Sequence, residues 1–513
     1  MANLSSGSSK NSSLTRRRFL QRSSLATAAG LAVPFPAMAA GLQAAALPQS
    51  SGKPTDAPPP VTRILADWVV RCNRSDVPDA ARKEAVRSIV NFVAVTLGGS
   101  NEDAVDTALA ALVPLSHPSG NFLFGRAERL DPLRAALVSG ISSHVLDFDD
   151  TDLRTIVHPA GSVAAALFAI CQMHPMSGAD FLHAFIVGVE IECRLGRAIY
   201  PSHYDMGWHI TGTCGAFGAA AACAKALNFN AHQTEMAFGI AATEAAGLQI
   251  TFGSMSKSLN VGRGAENGML AALFAAKGFT GTEGSIEGKY GYVYATSRQH
   301  DYLALTEGLN EHFEISHNTY KPFACGIVIH PVIDAMLQLR SADRLTPADV
   351  RSITIRGNPL LLQLTGKKEP KVGLEGKFSV YHSAAVALVR GYAGPAEYTD
   401  EAVNDPKVVA LRRLVSLRVD PSVRSDEAFV TVTTVDGRTL DKHVEHAIGS
   451  LERPLTDSDL NEKYRQLCKN ILPESQSEDL LARVWKLESA GDAAELPRLG
   501  AKKTAAEGSR RIS

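Results

Sequence analysis

The 513-residue chain predicts a mainly α fold, a large all-helical domain with a smaller α+β domain inserted in it. Three observations predict this. Residues 61–316 carry apolar residues at helical spacing, with Ala- and Gly-rich runs suited to closely packed buried helices. From about 318 to 445 the pattern alternates and is rich in β-branched residues. After 445 the helical period returns.

Taken in order, the chain opens on a segment that resembles a targeting signal. Thr15-Arg16-Arg17-Arg18-Phe19-Leu20-Gln21 resembles the twin-arginine export signal. It precedes a weakly apolar stretch over 24–33 and a small-x-small site, Ala37-Met38-Ala39. The stretch is too short to span a bilayer, which needs about 20 apolar residues. Residues 1–39 are therefore expected to be a signal peptide, and 40–60, rich in Ala, Pro and Ser, a linker. The implied location is the periplasm, with no membrane anchor after signal removal.

The helical domain is expected over 61–317. Pro159 suits the first position of a helix over 159–169, which places His158 at its N-terminus. Ser177-Gly178-Ala179-Asp180 caps a helix to about 199. Residues 211–227 form a buried Ala/Gly-rich helix, Asn230 caps the next to about 246, and 264–277 give another. The α+β domain is expected over 318–445. Its strands lie at 350–356, 414–419 and 429–434, with Asp436-Gly437 turning into 439–444 and helices at 327–340 and 378–391. Helices at 456–468 and 477–487 form the return over 446–497, and 498–513 read as a disordered tail.

The run Asp147-Phe148-Asp149-Asp150-Thr151, with His158 following and His144 preceding, gathers carboxylates, a hydroxyl and two imidazoles within fifteen residues. Spacing alone fits a metal site, an acid/base site or a solvated turn. A net charge of −1 and 20% charged residues argue against nucleic-acid binding, which requires a basic face. The seven cysteines are irregularly spaced, without a C-x-x-C pair, and four of them sit in apolar helical patterns where buried free thiols are the norm. No phosphate loop, dinucleotide fingerprint or serine elbow is present, so no cofactor is expected.

Ser143 to Thr151 with His158-Pro159 resembles the signature of the MmgE/PrpD family. That family includes 2-methylcitrate dehydratase, cis-aconitate decarboxylase and iminodisuccinate epimerase. Four more segments match in order: Gly207-Trp208-His209-Ile210-Thr211-Gly212-Thr213, Ser256-Lys257-Ser258-Leu259-Asn260-Val261-Gly262-Arg263, Tyr320-Lys321-Pro322-Phe323-Ala324-Cys325 and Lys377-Phe378-Ser379.

The resemblance spans about 61–487. It implies a helical body with an α+β lid, a homodimer, and a cofactor-independent lyase acting on a di- or tricarboxylate. It further implies Lys257 and Lys321 as carboxylate holders and His158 and His209 as proton-transfer groups. Asp147 is expected to orient His158, and Thr151 to share a helix face with Asp147. Arg263 is a further candidate carboxylate clamp. His382 stands where the family's dehydratases carry a Tyr, so it is a candidate catalytic group and a departure from the dehydratase pattern. His144, Asp149 and Asp150 are assigned structural roles. Epimerisation on the same scaffold, a divalent ion held by Asp147, Asp149, Asp150 and His158 in a hydrolase, and a non-catalytic carboxylate-binding protein remain as alternatives.

Overall fold

The computed structural model describes residues 58–117 and 119–503. The expected export signal at 1–39, most of the expected 40–60 linker and the tail beyond 503 lie outside the described residues. The body is a stack of helices, and small residues set how closely they approach. A Cβ added to Gly140, in the helix Pro132–His144, would meet the Gly262 Cα of the helix Ser256–Ala276 at 2.7 Å. One added to Gly268 would meet the Ala216 carbonyl of Ile210–Ala226 at 2.4 Å. Backbone lies on backbone at both crossings, which only glycine permits.

Side-chain caps fix several helix starts as the sequence predicts. The Ser177 and Asn230 side chains accept from the Asp180 and Gln233 amides at the heads of Gly178–Ile199 and Ala231–Glu244. Pro159 opens Pro159–Ile170, with His158 as the capping residue. The helix expected over 264–277 instead begins at Ser256, so Lys257 sits in a helical first turn and not in a loop. The apolar residues that the helix start lacks are supplied by the facing helices. Asp147 and Thr151 do not share a helix face. Asp147 is left-handed (φ 52), and Asp150–Asp152 is a strand.

That strand pairs antiparallel with Asn318–Tyr320, in the register Asp150 to Tyr320 and Thr151 to Thr319. Residues 318–320 therefore join the body, and the sheet of the α+β region starts later. It has four strands in the order Val415–Val419, Val350–Gly357, Ala428–Thr434, Thr439–Val444. The first pair is parallel and the others antiparallel. The helices His330–Ala342 and Val380–Arg390 pack with it. Ala428–Thr434 alternates buried and half-buried, as a strand covered on one face must.

The chain then returns through Asp457–Cys468, which packs on Asp79–Gly99 of the body. The segment expected as tail begins inside a helix, Glu495–Gly500, whose Leu496 and Pro497 are buried. All seven cysteines are free and buried. Among the described residues no helix is long and apolar enough to cross a membrane.

Candidate active site

A small cavity, partly open to solvent, lies where the head of the helix Ser256–Ala276, the 147–158 loop and the segments around 326 and 378 meet. Asp147, His158, His209, Lys257 and Lys321 line one part of it. Ile156, Phe252, Ile327, Val328, Leu364 and Phe378 make the apolar remainder.

Local structure explains each placement. The Gly140–Gly262 crossing sets the end of one helix beside the start of another, so Lys257 Nζ reaches His144 Nε2 at 2.9 Å. The ribbon to Asn318–Tyr320 delivers Lys321 to the loop at its other end. Asp147 Oδ1 accepts from Lys321 Nζ at 2.6 Å and from Lys257 Nζ at 3.0 Å. Burial alone would raise the Asp147 pKa, but the two ammonium groups hold it well below the carboxylate range. Burial lowers Lys257, whereas at Lys321 the Asp147 and Asp149 charges outweigh burial and raise the pKa.

The hydrogen bonds also assign the imidazole tautomers. His158 Nδ1 donates to the Asp150 carbonyl at 2.7 Å, with Thr151 Oγ1 at 3.2 Å and Asp149 Oδ1 at 3.4 Å, which leaves its Nε2 as the basic nitrogen. His209 Nδ1 accepts from Asn260 Nδ2 at 3.1 Å, so in the neutral ring its Nε2 carries the proton. His144 donates from Nδ1 to Asp149 Oδ2 at 2.5 Å and accepts Lys257 at Nε2. Burial lowers all three imidazole pKa values; the Asp149 carboxylate opposes this at His144 and His158, the nearby lysines reinforce it, and the net direction in each ring is down, toward the neutral form. One basic and one acidic imidazole nitrogen thus belong to residues lining a single cavity.

The structure brings His158, His209, Asp147, Lys257 and Lys321 together and leaves three candidates elsewhere. His382 points away from the cavity, donating from Nε2 to the Glu397 carbonyl at 2.9 Å, its ring edge-on to Tyr398. Ser379 caps the helix Val380–Arg390 at the His382 amide, and that rotation directs the ring into the lid interior. Arg263 lies half-exposed on the outer face of its helix, paired with Glu266 at 2.5 Å. Thr151 is buried and touches His158, so it supports the imidazole and does not face the cavity.

Two roles also change. Asp147 binds the lysines, while Asp149 and the Asp150 main chain orient His158. His144, assigned a structural role from its position, stands between Asp149 and Lys257 at the centre of the cluster. Asp150 is a structural anchor: it accepts from Ser88 Oγ, Asn318 Nδ2 and the Ala160 amide, and burial pushes it up to about 7.

Lys377 and Lys463, which border the site from behind, are residues that sequence reasoning missed as site components. Lys377 at least carried a signal, as the first residue of a matched motif. Donor atoms of His144, Asp147 and His158 lie within 4.8 Å of one another, a spacing a metal ion would need. Two ammonium groups already occupy Asp147 Oδ1, and both His144 nitrogens and His158 Nδ1 are engaged, so a divalent cation there would have to compete with Lys257 and Lys321 for this donor set.

Residues 63–304 match the MmgE/PrpD N-terminal domain, and residues 323–488 the MmgE/PrpD C-terminal domain. The chain belongs to the MmgE/PrpD family. The cis-aconitate decarboxylase-like protein oryM of Aspergillus oryzae is 27% identical over 464 residues, covering 85% of this chain and 96% of that protein. The cis-aconitate decarboxylase of Mus musculus is also 27% identical, over 86% of this chain and 93% of its own. The 2-methylcitrate dehydratase of Cupriavidus necator is 25% identical over 84% of this chain and 95% of its own. With carboxy-lyases and a hydro-lyase as full-length relatives, the protein is a lyase of this family.

Proposed function

We propose that the protein is a cofactor-independent lyase that takes a di- or tricarboxylate and moves a proton on the carbon next to a carboxylate, with decarboxylation as its outcome. One observation carries this reading: two buried lysines on Asp147 and two oppositely poised imidazoles border one cavity whose remaining wall is largely apolar, with Tyr204 and Thr365 in it. The lysines share Asp147 in the free enzyme and offer their remaining donors to substrate carboxylates. The apolar wall suits the hydrocarbon part of such a substrate and keeps the site poor in water.

In the reaction, cleavage of the C–C bond to the departing CO₂ leaves its electron pair on the adjacent carbon. That carbon takes a proton from His209 Nε2, and His158 Nε2 serves as the base that exchanges protons with the substrate. The same pair supports elimination of water, in which His158 removes the carbon-bound proton and His209 protonates the leaving hydroxyl. Decarboxylation is favoured because His382, which replaces the dehydratases' Tyr, faces away from the cavity.

The reading is tested by NMR in deuterated water with a panel of unsaturated and hydroxylated di- and tricarboxylates. CO₂ loss with at least one deuteron incorporated per turnover supports it. Loss of water, or exchange without net reaction, assigns dehydration or epimerisation instead. Absence of any conversion, or conversion requiring a stoichiometric metal ion, refutes it. The paired arginines at 16 and 17 support export to the periplasm by the twin-arginine route, and family membership supports a homodimer; both are part of this proposal.

A further inference from the structure

Three consecutive main-chain carbonyls at the heart of the site each accept a hydrogen bond from a different buried lysine. Leu146 O accepts from Lys377 Nζ at 2.7 Å, Asp147 O from Lys321 Nζ at 3.2 Å, and Phe148 O from Lys463 Nζ at 2.6 Å. The three lysines come from three regions: the lid, the body–lid junction and the return helix Asp457–Cys468.

Lys463 also donates to Asn91 Oδ1 at 2.8 Å and to the main-chain oxygen of Lys321 at 2.9 Å, which uses all three of its protons. Lys377 further reaches the Ala324 carbonyl at 3.3 Å. Neither Lys377 nor Lys463 lines the cavity, and among the described residues neither has a carboxylate in ion-pair range. Both are at least nine-tenths buried.

Burial without a carboxylate partner pushes Lys463 down to about 7 and Lys377 down to about 8, so placing either amine in the interior is expensive and calls for a reason. The backbone supplies one. Asp147 is left-handed, so the carbonyls of 146–148 leave the regular ladder that helix or strand would offer and point into the protein interior. Each must find a donor there. A methionine in place of Lys463 would fill the same space and leave Phe148 O and Lys321 O unpaired.

We propose that Lys463 and Lys377 are positioning residues for catalysis, a pair of buried amines whose hydrogen bonds to main-chain carbonyls hold the Asp147 turn and the Lys321 backbone in the geometry the reaction needs. Through them the lid and the C-terminal return helix bear on the catalytic loop, although neither side chain touches substrate. The inference rests on the functional reading above for its kinetic consequence, but not for its structural one.

The test compares Lys463→Met and Lys377→Met with the wild type in two measurements. The first is kinetics on whichever carboxylate the wild type converts. Lys463→Met is expected to lower kcat/KM by tenfold to a hundredfold. Because it acts through Lys321, its loss and that of Lys321→Ala should fail to multiply in the double variant. The second is hydrogen exchange of the 145–152 segment, expected to quicken at least tenfold while the helices of the body keep wild-type protection.

Kinetics within twofold of wild type, wild-type exchange in the loop, or fully multiplicative losses would each overturn the proposal. If the Met variants do not fold, Lys463→Gln keeps an uncharged donor and is read in the same two ways. If the wild type converts no carboxylate, the functional reading fails, and loop exchange still decides whether the lysines hold the turn.

Discussion

Replacing Asp147 by Asn separates stability from binding, with opposite signs. The Asp147 carboxylate is fully buried and takes two ammonium groups on one oxygen. Asn keeps an acceptor in the same place but removes the charge that offsets Lys257 and Lys321. Breaking a buried charge pair by removing one partner costs about 3–5 kcal/mol, and the retained acceptor argues for the lower figure. At roughly 2.1 cal/mol/K per residue over about 450 residues, 3 kcal/mol lowers Tm by about 3 °C.

Ligand binding should move the other way. A substrate carboxylate sharing these ammonium groups sits roughly 5 Å from the Asp147 oxygens. Their repulsion at an effective dielectric constant of 20 is then about 3 kcal/mol. Loss of the Asp147 charge also makes Lys257 easier to deprotonate, which offsets part of this gain, so the net expectation is about tenfold tighter binding, or ~1.4 kcal/mol.

The assay is calorimetric titration with tricarballylate, a saturated tricarboxylate with no double bond or hydroxyl to react, alongside thermal unfolding with and without it. Turnover should fall at the same time, because the lysines lose their anchor. Weaker tricarballylate binding by Asp147→Asn, or an unchanged Tm, would refute the assigned role of Asp147 as counter-ion to the two lysines.

Other expectations follow from the same geometry. His158→Ala and His209→Ala should each cut kcat by about 10²–10⁴ with KM changed little, and steady-state kinetics showing near-normal turnover in either would remove that residue from proton transfer. Since burial and the lysines depress the imidazole pKa values, and His158 must be neutral to act as base, the acid limb of kcat/KM should lie below pH 6.5; a limb at or above 6.5 would contradict the buried, neutral rings. His382→Leu should leave kcat within threefold while costing about 1–3 kcal/mol for the orphaned Glu397 carbonyl, as denaturant unfolding would show. Replacing both Arg16 and Arg17 with lysine should strand the precursor in the cytoplasm, and normal periplasmic recovery of that variant would disprove twin-arginine export.

Much of this protein is legible in its sequence because the relevant physics is local. Helical and strand periodicity locate the main helices from 159 onward and all four strands of the larger sheet, since which face is buried is written at spacings of 3.6 and 2. Val61–Arg71, Asp79–Gly99, Asp103–Leu112 and Pro132–His144 are covered only by the expectation of a helical domain. Pro159, Ser177 and Asn230 mark helix starts because capping is a contact between near neighbours in the chain. Five ordered motifs identify the family, and with it five of the residues that surround the cavity.

What the sequence leaves open depends on partners far away in the chain. The head of the Lys257 helix, Ser256 to Asn260, is polar but for Leu259, so no helical period shows there in the sequence. Arg263 and His382 occupy suggestive positions, yet helix rotation sends one to the surface beside Glu266 and the other to Glu397. Asp147 was readable as a functional carboxylate, but not as the counter-ion of two lysines lying 110 and 174 residues away. His144 was legible only as a second imidazole beside Asp147 and Lys463 gave no local signal, because a buried imidazole or amine is told from a solvated one only by what surrounds it. Residue types and their order determined which chemistry was available. Backbone contacts such as Gly140 on Gly262 and the left-handed turn at Asp147 decided which of those groups meet, because close packing fixes distances that spacing along a chain does not.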